Sequence, residues 1–207
     1  MALNLSGTTG IVTGNIAALQ VTTATIADSN VTTAKIADAN VTPAKLSQPM
    51  TLGTAQATTS GTAIDFTGIP SWVKRVTVMF SGVSTNGTSY PMIQIGDSGG
   101  VEITGYAAGS SMLYSGTSSS NFTTGFTIKN DQLASVILDG FITINLFSSS
   151  SNTWVAGGVI YAPTPTAYLA VVSGSKSLST TLDRVRITTV NGTDTFDAGS
   201  VNIMYEG

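Results

Sequence analysis

Residues able to do chemistry are few in this chain, and their spacing narrows the chemistry further. The segment "NGTDTFDAGS" gathers Asp194 and Asp197 among backbone carbonyls, a set of oxygen donors that could hold a calcium ion. The same letters read better as a hairpin loop, because Asn-Gly followed by small polar residues favours a tight turn. "DSGG" at 97–100 has the glycines of a phosphate cradle but lacks the Lys and Ser or Thr that must follow them, so it reads as a turn. Paired carboxylates, as in glycoside cleavage, are the remaining route to catalysis. The eleven acids are dispersed, however, and only Glu102 and Glu206 are glutamates. The absence of His and Cys removes the imidazole base, the thiol nucleophile, the Ser-His-Asp triad and the thiolate zinc site together. No catalytic residue, metal ligand set or cofactor is assigned, and a polysaccharide-cleaving enzyme is kept only as an alternative to a structural or binding protein.

Composition points the same way. Charged residues are 9% of the 207, against roughly 25% in an ordinary globular chain, so Thr, Ser, Asn and Gly must coat the surface. The net charge is −3 and the eight Lys and Arg are scattered singly, which leaves no basic groove for a nucleic acid. No window approaches 18 uninterrupted apolar residues and "MALNLSGTTG" lacks the basic start and apolar run of a signal peptide; the expectation is no membrane insertion and synthesis in the cytoplasm.

The first fifty residues carry a repeat. Ile11, Ile16, Val21, Ile26, Val31, Ile36, Val41 and Leu46 fall every five residues without a miss. Five residues turn a helix by about 500°, which forms no straight stripe, and in a strand odd steps alternate faces. Within "VTTATIADSN VTTAKIADAN VTPAKLSQPM", Thr42-Pro43 replaces Thr32-Thr33, and Thr before Pro looks like an N-cap before a first helical position. Each decad then reads as one short helical turn and a link through Asp and Asn. One apolar residue in five cannot bury itself within a single chain. Several parallel chains in register can stack such residues in layers, so the repeat predicts a homo-oligomeric stalk rather than a linker.

Pro49 and Gly53 punctuate the end of that register, and a second domain is expected over 51–207, after a stalk and attachment segment over 1–50. Period two appears there: Val76, Val78 and Phe80 alternate with Arg75, Thr77 and Met79, and Val185 and Ile187 alternate with Arg184, Arg186 and Thr188. In "SVNIMYE", Val201, Ile203 and Tyr205 share one side. These are half-buried strands. "ASVILDGFITINLF" and "WVAGGVIYA" read as central strands, with Gly140 and Gly157-Gly158 as bulges or bends. Asn86-Gly87 and Asn191-Gly192 read as hairpin turns. Arg184 and Arg186 are expected to pair with Asp65 or Asp183, or across subunits. Roughly eight to ten strands without a convincing helix argue for an all-β fold, an antiparallel sandwich or jelly roll.

These residues carry a resemblance. "TSGTAIDFTGIPSWVKRVTVMFSGVSTNGTS" and "LDRVRITTVNGTDTFDAGSVNIMYE" resemble the C-terminal domain of bacteriophage and prophage tail-fibre proteins, and "LNLSGTTGIVTGNIA" with "TTAKIADANVTPAKL" is similar to their shaft repeats. The resemblance implies a homotrimeric virion appendage, held to other virion proteins through its N-terminus and presenting β-rich heads for host adhesion. Such fibres are often far longer, which leaves a capsid head fibre or decoration protein as the alternative. No catalytic residue is carried over.

The remaining pointers to binding are aromatic. Tyr106, Tyr114, Phe122 and Trp154 lie in or beside Gly- and Ser-rich segments, and such residues in loops are platforms for recognition, sugar faces included. The stretch 105–122, read as a long loop, is the expected surface for a bacterial glycan.

Overall fold

The structure is a computed structural model and describes residues 31, 32, 36, 40–42, 45, 46, 48–114, 117–134, 136–164 and 167–207. The backbone divides into two compact units, Met1–Leu46 and Ser47–Gly207. In the first, four of the eight repeat positions, Ile11, Ile16, Val21 and Ile26, lie outside the described residues. The other four, Val31, Ile36, Val41 and Leu46, are 40–55% exposed. Lys45 stands in a 3-10 turn, its N–H donating to the Thr42 carbonyl at 2.8 Å; Pro43, the expected first helical position, lies outside the described residues.

The second unit is all β, and no helix occurs among its described residues. Its fourteen strands are, in chain order, β1 (Thr51–Leu52), β2 (Gln56–Ala57), β3 (Ala63–Thr67), β4 (Arg75–Thr85), β5 (Pro91–Asp97), β6 (Gly100–Val101), β7 (Tyr106–Leu113), β8 (Thr117–Phe122), β9 (Phe126–Thr127), β10 (Leu138–Ser148), β11 (Thr153–Ala162), β12 (Tyr168–Ser177), β13 (Arg184–Thr189) and β14 (Phe196–Glu206). Nine form a sheet in the order β1-β14-β4-β10-β11-β12-β7-β8, with β2 also on β14. The other five form the order β3-β13-β5-β6, with β9 on β5. Nine strands against five is not the even division of an eight-stranded jelly roll. It is a sandwich of unequal antiparallel sheets around one core.

Alternation builds that core. Val76, Val78 and Phe80 of β4, Ile142 and Ile144 of β10, and Val201 and Ile203 of β14 point inward from the large sheet, against Ile93 and Ile95 of β5 and Val185 and Ile187 of β13. Each is under 5% exposed. At about 25 cal/mol per Å² of apolar area, burial of this kind is what makes these periodic segments strands.

Three sequence expectations need correction. Asn86-Gly87 joins β4 to β5 and Asn191-Gly192 joins β13 to β14, and each pair of strands lies in different sheets. Neither turn closes a hairpin; both are crossovers between the layers. They run side by side and are stitched together: Asn86 exchanges bonds with Thr195 at 2.9 Å on both its backbone N–H and its side-chain oxygen. Asp194, considered above for calcium, accepts from the Ser89 N–H at 2.8 Å and from the Asn191 amide at 2.6 Å, while Asp197 accepts from the Ser84 hydroxyl. The two carboxylates serve different loop contacts, and the described residues hold no cluster of three acids suited to a metal ion.

The second correction concerns glycine. Gly140 does sit at an irregularity, with φ at 136° and a register slip against β4 between Leu138 and Gly140. Gly157 and Gly158 keep regular register with both neighbours. At Gly158 glycine is needed for close approach, because a Cβ there would stand 2.7 Å from the Ile142 Cα, whereas one on Gly157 would meet nothing nearer than 4.0 Å.

The third is the supposed loop over 105–122. It is a hairpin, β7 paired with β8 from Ala108↔Phe122 to Leu113↔Thr117, forming the edge of the large sheet.

Candidate functional site

Cross-strand register sets the two ends of the large sheet. Thr51 pairs with Tyr205 and Arg75 with Glu206, so the chain enters the unit beside its own C-terminus. Phe196↔Thr85 and Leu138↔Val83 mark the opposite end.

The aromatic candidates do not form one surface. Tyr106 is 3% and Trp154 2% exposed, so both belong to the core and neither stacks on a surface ligand. The Tyr106 hydroxyl accepts the Ile95 N–H at 2.8 Å and donates to the Glu102 carbonyl at 2.9 Å. Its ring meets Phe126 edge-on at 5.2 Å. Phe122 packs against the core and the edge of Tyr90, centroids 5.9 Å apart. Tyr114 alone of the four is well exposed, at 55%. It follows the last residue of β7, at the end of the sheet away from Thr51. Sequence reasoning placed these residues together because Gly and Ser neighbours look like loops; in β7 and β11 those neighbours are strand residues, and the alternation of the strand turns Tyr106 and Trp154 inward.

A polar network at the entry end went unread in the sequence. Lys176 of β12 lies on the inward phase with Tyr168, Ala170 and Val172, and is 6% exposed. A buried ammonium needs a carboxylate, and Glu102 supplies it in an ion pair. The Tyr106 ring adds a cation–π contact at 5.6 Å. Glu102 also accepts the Ser179 N–H at 2.7 Å, and Ser179 donates its hydroxyl to Asp97, which further accepts the Thr180 N–H at 3.0 Å and the Gly99 N–H at 2.8 Å. The signal was present: a lysine on the buried phase of an alternating strand.

The network shifts its acids. The Ser179 hydroxyl, and then the Gly99 amide, hold Asp97 below its usual 3.8 against the upward push of burial. Burial pushes Glu102 up most strongly, but the hydrogen bond and charge of Lys176 with the Ser179 amide outweigh it and leave Glu102 below its usual 4.5. Folded values below unfolded ones stabilise at pH above the unfolded values, and that contribution disappears as pH falls through the folded values. The melting temperature is therefore expected to hold down to about pH 5 and to drop steeply below about pH 4. Scanning calorimetry should show a shallower acid limb for Ser179→Ala, which removes the largest cause acting on Asp97.

Other charges are engaged among themselves. Arg186 grips Asp65 through two bonds of 2.7 Å, Arg184 pairs with Asp183 at 2.7 Å, and Arg75 pairs with Glu206; the first two are the partners expected from "LDRVR". No helix among the described residues is long and apolar enough to cross a membrane. Comparison with protein-family models, with curated proteins and with solved structures gave no match.

Proposed function

We propose that the chain is a structural appendage of a bacteriophage virion, a short homotrimeric tail fibre whose repeats form a stalk and whose β head meets the host surface. The observation that carries this reading is the eight-position, five-residue register. It supports lateral assembly because the four described positions stay 40–55% exposed in a single chain, and apolar residues at fixed intervals with no cover in their own chain suit layers shared between copies. The resemblance of both segments to tail fibres supplies the viral setting, and virion proteins are the partners of the N-terminus.

Adhesion is assigned to the end of the head bearing Tyr114. A sugar stacked on one tyrosine contributes only about 1 kcal/mol, so the fibre works through several heads engaged at once. Labelled full-length protein should bind host cells, and Tyr114→Ala should reduce that binding about a hundredfold, since three heads each lose about 1 kcal/mol together, while the assembly's mass is unchanged. Protein that ignores host cells but attaches at regular sites on fibreless capsids would overturn adhesion in favour of a capsid head fibre. Shortening of host polysaccharide by the purified protein would instead point to an enzyme.

A further inference from the structure

The large sheet has an outer face that is built to be covered. Where one face of an antiparallel sheet meets water, outward residues are normally polar. Here β10, β11 and β12 place large apolar residues outward as well as inward. Register aligns Phe141, Val159 and Val171 in one row across three neighbouring strands, and Tyr161, Leu169 and Leu113 in the next. These six are 38–54% exposed. The adjoining row, Thr143, Gly157, Ser173 and Gly109, is small and carries no charge, so a second backbone can approach closely beside the apolar ridge.

We propose that this face is the contact between copies of the β head, resting on the oligomeric reading above and adding to it the surface that the heads share. Three features select a second copy over another partner. First, the face carries little charge: Arg75 is neutralised by Glu206 at one end, and at the other Asp139 stands at the margin of the Tyr161 row, its carboxylate accepting the Gly82 N–H at 2.8 Å. There is little on the face for an acidic or basic partner to read. Second, the four strands named and β4, whose Met79 lies opposite Phe141, at about 4.8 Å spacing and some six residues at about 3.4 Å give a face of about 500 Å², two of its three rows large and apolar. Third, in a threefold assembly each face is shared between two neighbours, so any pair of heads buries about 500 Å² together, below the roughly 1,000 Å² of a free-standing specific interface. That is too little to hold free heads at low concentration but sufficient for heads already tethered side by side, where effective concentrations reach the millimolar range. The repeat supplies the tether, and the face gives the tethered heads a fixed arrangement.

The chain has no cysteine, so Ser173→Cys places a lone thiol on the outer face and Ser150→Cys places one in the exposed turn between β10 and β11 as a control. Maleimide labelling of the full-length chains, with mass measured by light scattering, is expected to be at least about tenfold slower at 173 than at 150 in an assembly of several copies. Adding Val159→Lys and Val171→Lys should bring the rate at 173 up to that of the control while circular dichroism keeps the β signal. Equal rates in an assembly of several copies would overturn this inference and leave the oligomeric reading standing. Equal rates in a single-chain species would overturn both. Slow labelling at 173 in a single-chain species would show that another segment of the same chain covers the face, and would also overturn the proposal.

Discussion

Replacing Ile26 and Ile36 together with Asp is expected to convert the assembly into single chains. Both residues occupy the five-residue register, and in the proposed stalk each contributes one side chain per copy to a shared apolar layer. Aspartate there would bring like charges together without cations and out of water. An uncompensated buried charge costs about 3–5 kcal/mol, and two layers are affected at once. The head should survive, because its core draws on residues of the second unit alone. Gel filtration with light scattering should therefore give the mass of one chain, while the β circular dichroism signal and its cooperative melt persist. An assembly that keeps its mass after both substitutions would mean that the register does not hold the copies together.

Trp154→Ala should be the most damaging single change to the head. The side chain is 2% exposed on the inward phase of β11, between Leu146 of β10 and Lys176 of β12. Truncating a buried Trp costs about 3–5 kcal/mol through lost burial and the cavity left behind, against total stabilities of about 5–15 kcal/mol. For a domain of this size the melting temperature should fall by about 10 °C or more. Phe147→Ser is the matching control: at 75% exposed, its loss should change stability by less than about 0.5 kcal/mol. Were Trp154 a surface contact for a receptor, the melt would hold and only binding would suffer.

The contrast between those two aromatics shows where sequence is legible and where it is not. β4, β13 and β14 were readable because large apolar residues alternate with polar ones, and period two has one physical cause, a face turned to a core. Asp65 and Asp183 were both open as partners of Arg184 and Arg186, and it is the β3–β13 register, Arg186 opposite Asp65, that decides which acid each takes. The β7–β8 hairpin was not readable, because its inward positions include Ala108 and Ser110, whose small side chains leave no hydrophobic alternation to detect. The Asn-Gly turns were read as turns, but a local turn signal says nothing about which sheet receives the next strand; the Asn86–Thr195 bonds that settle it join residues 109 apart in sequence. Aromatic residues beside glycine suggested loops, whereas burial of Tyr106 and Trp154 depends on long-range packing. The outer face was visible only as unusually apolar strands, since its exposure depends on which sheet lies behind it.

The central claim is that the chain works as a side-by-side assembly organised by its repeat. Light scattering of the full-length protein after gel filtration, at micromolar concentration, tests it most directly. The account predicts a single species of three times the chain's mass; a species with the mass of one chain would contradict it.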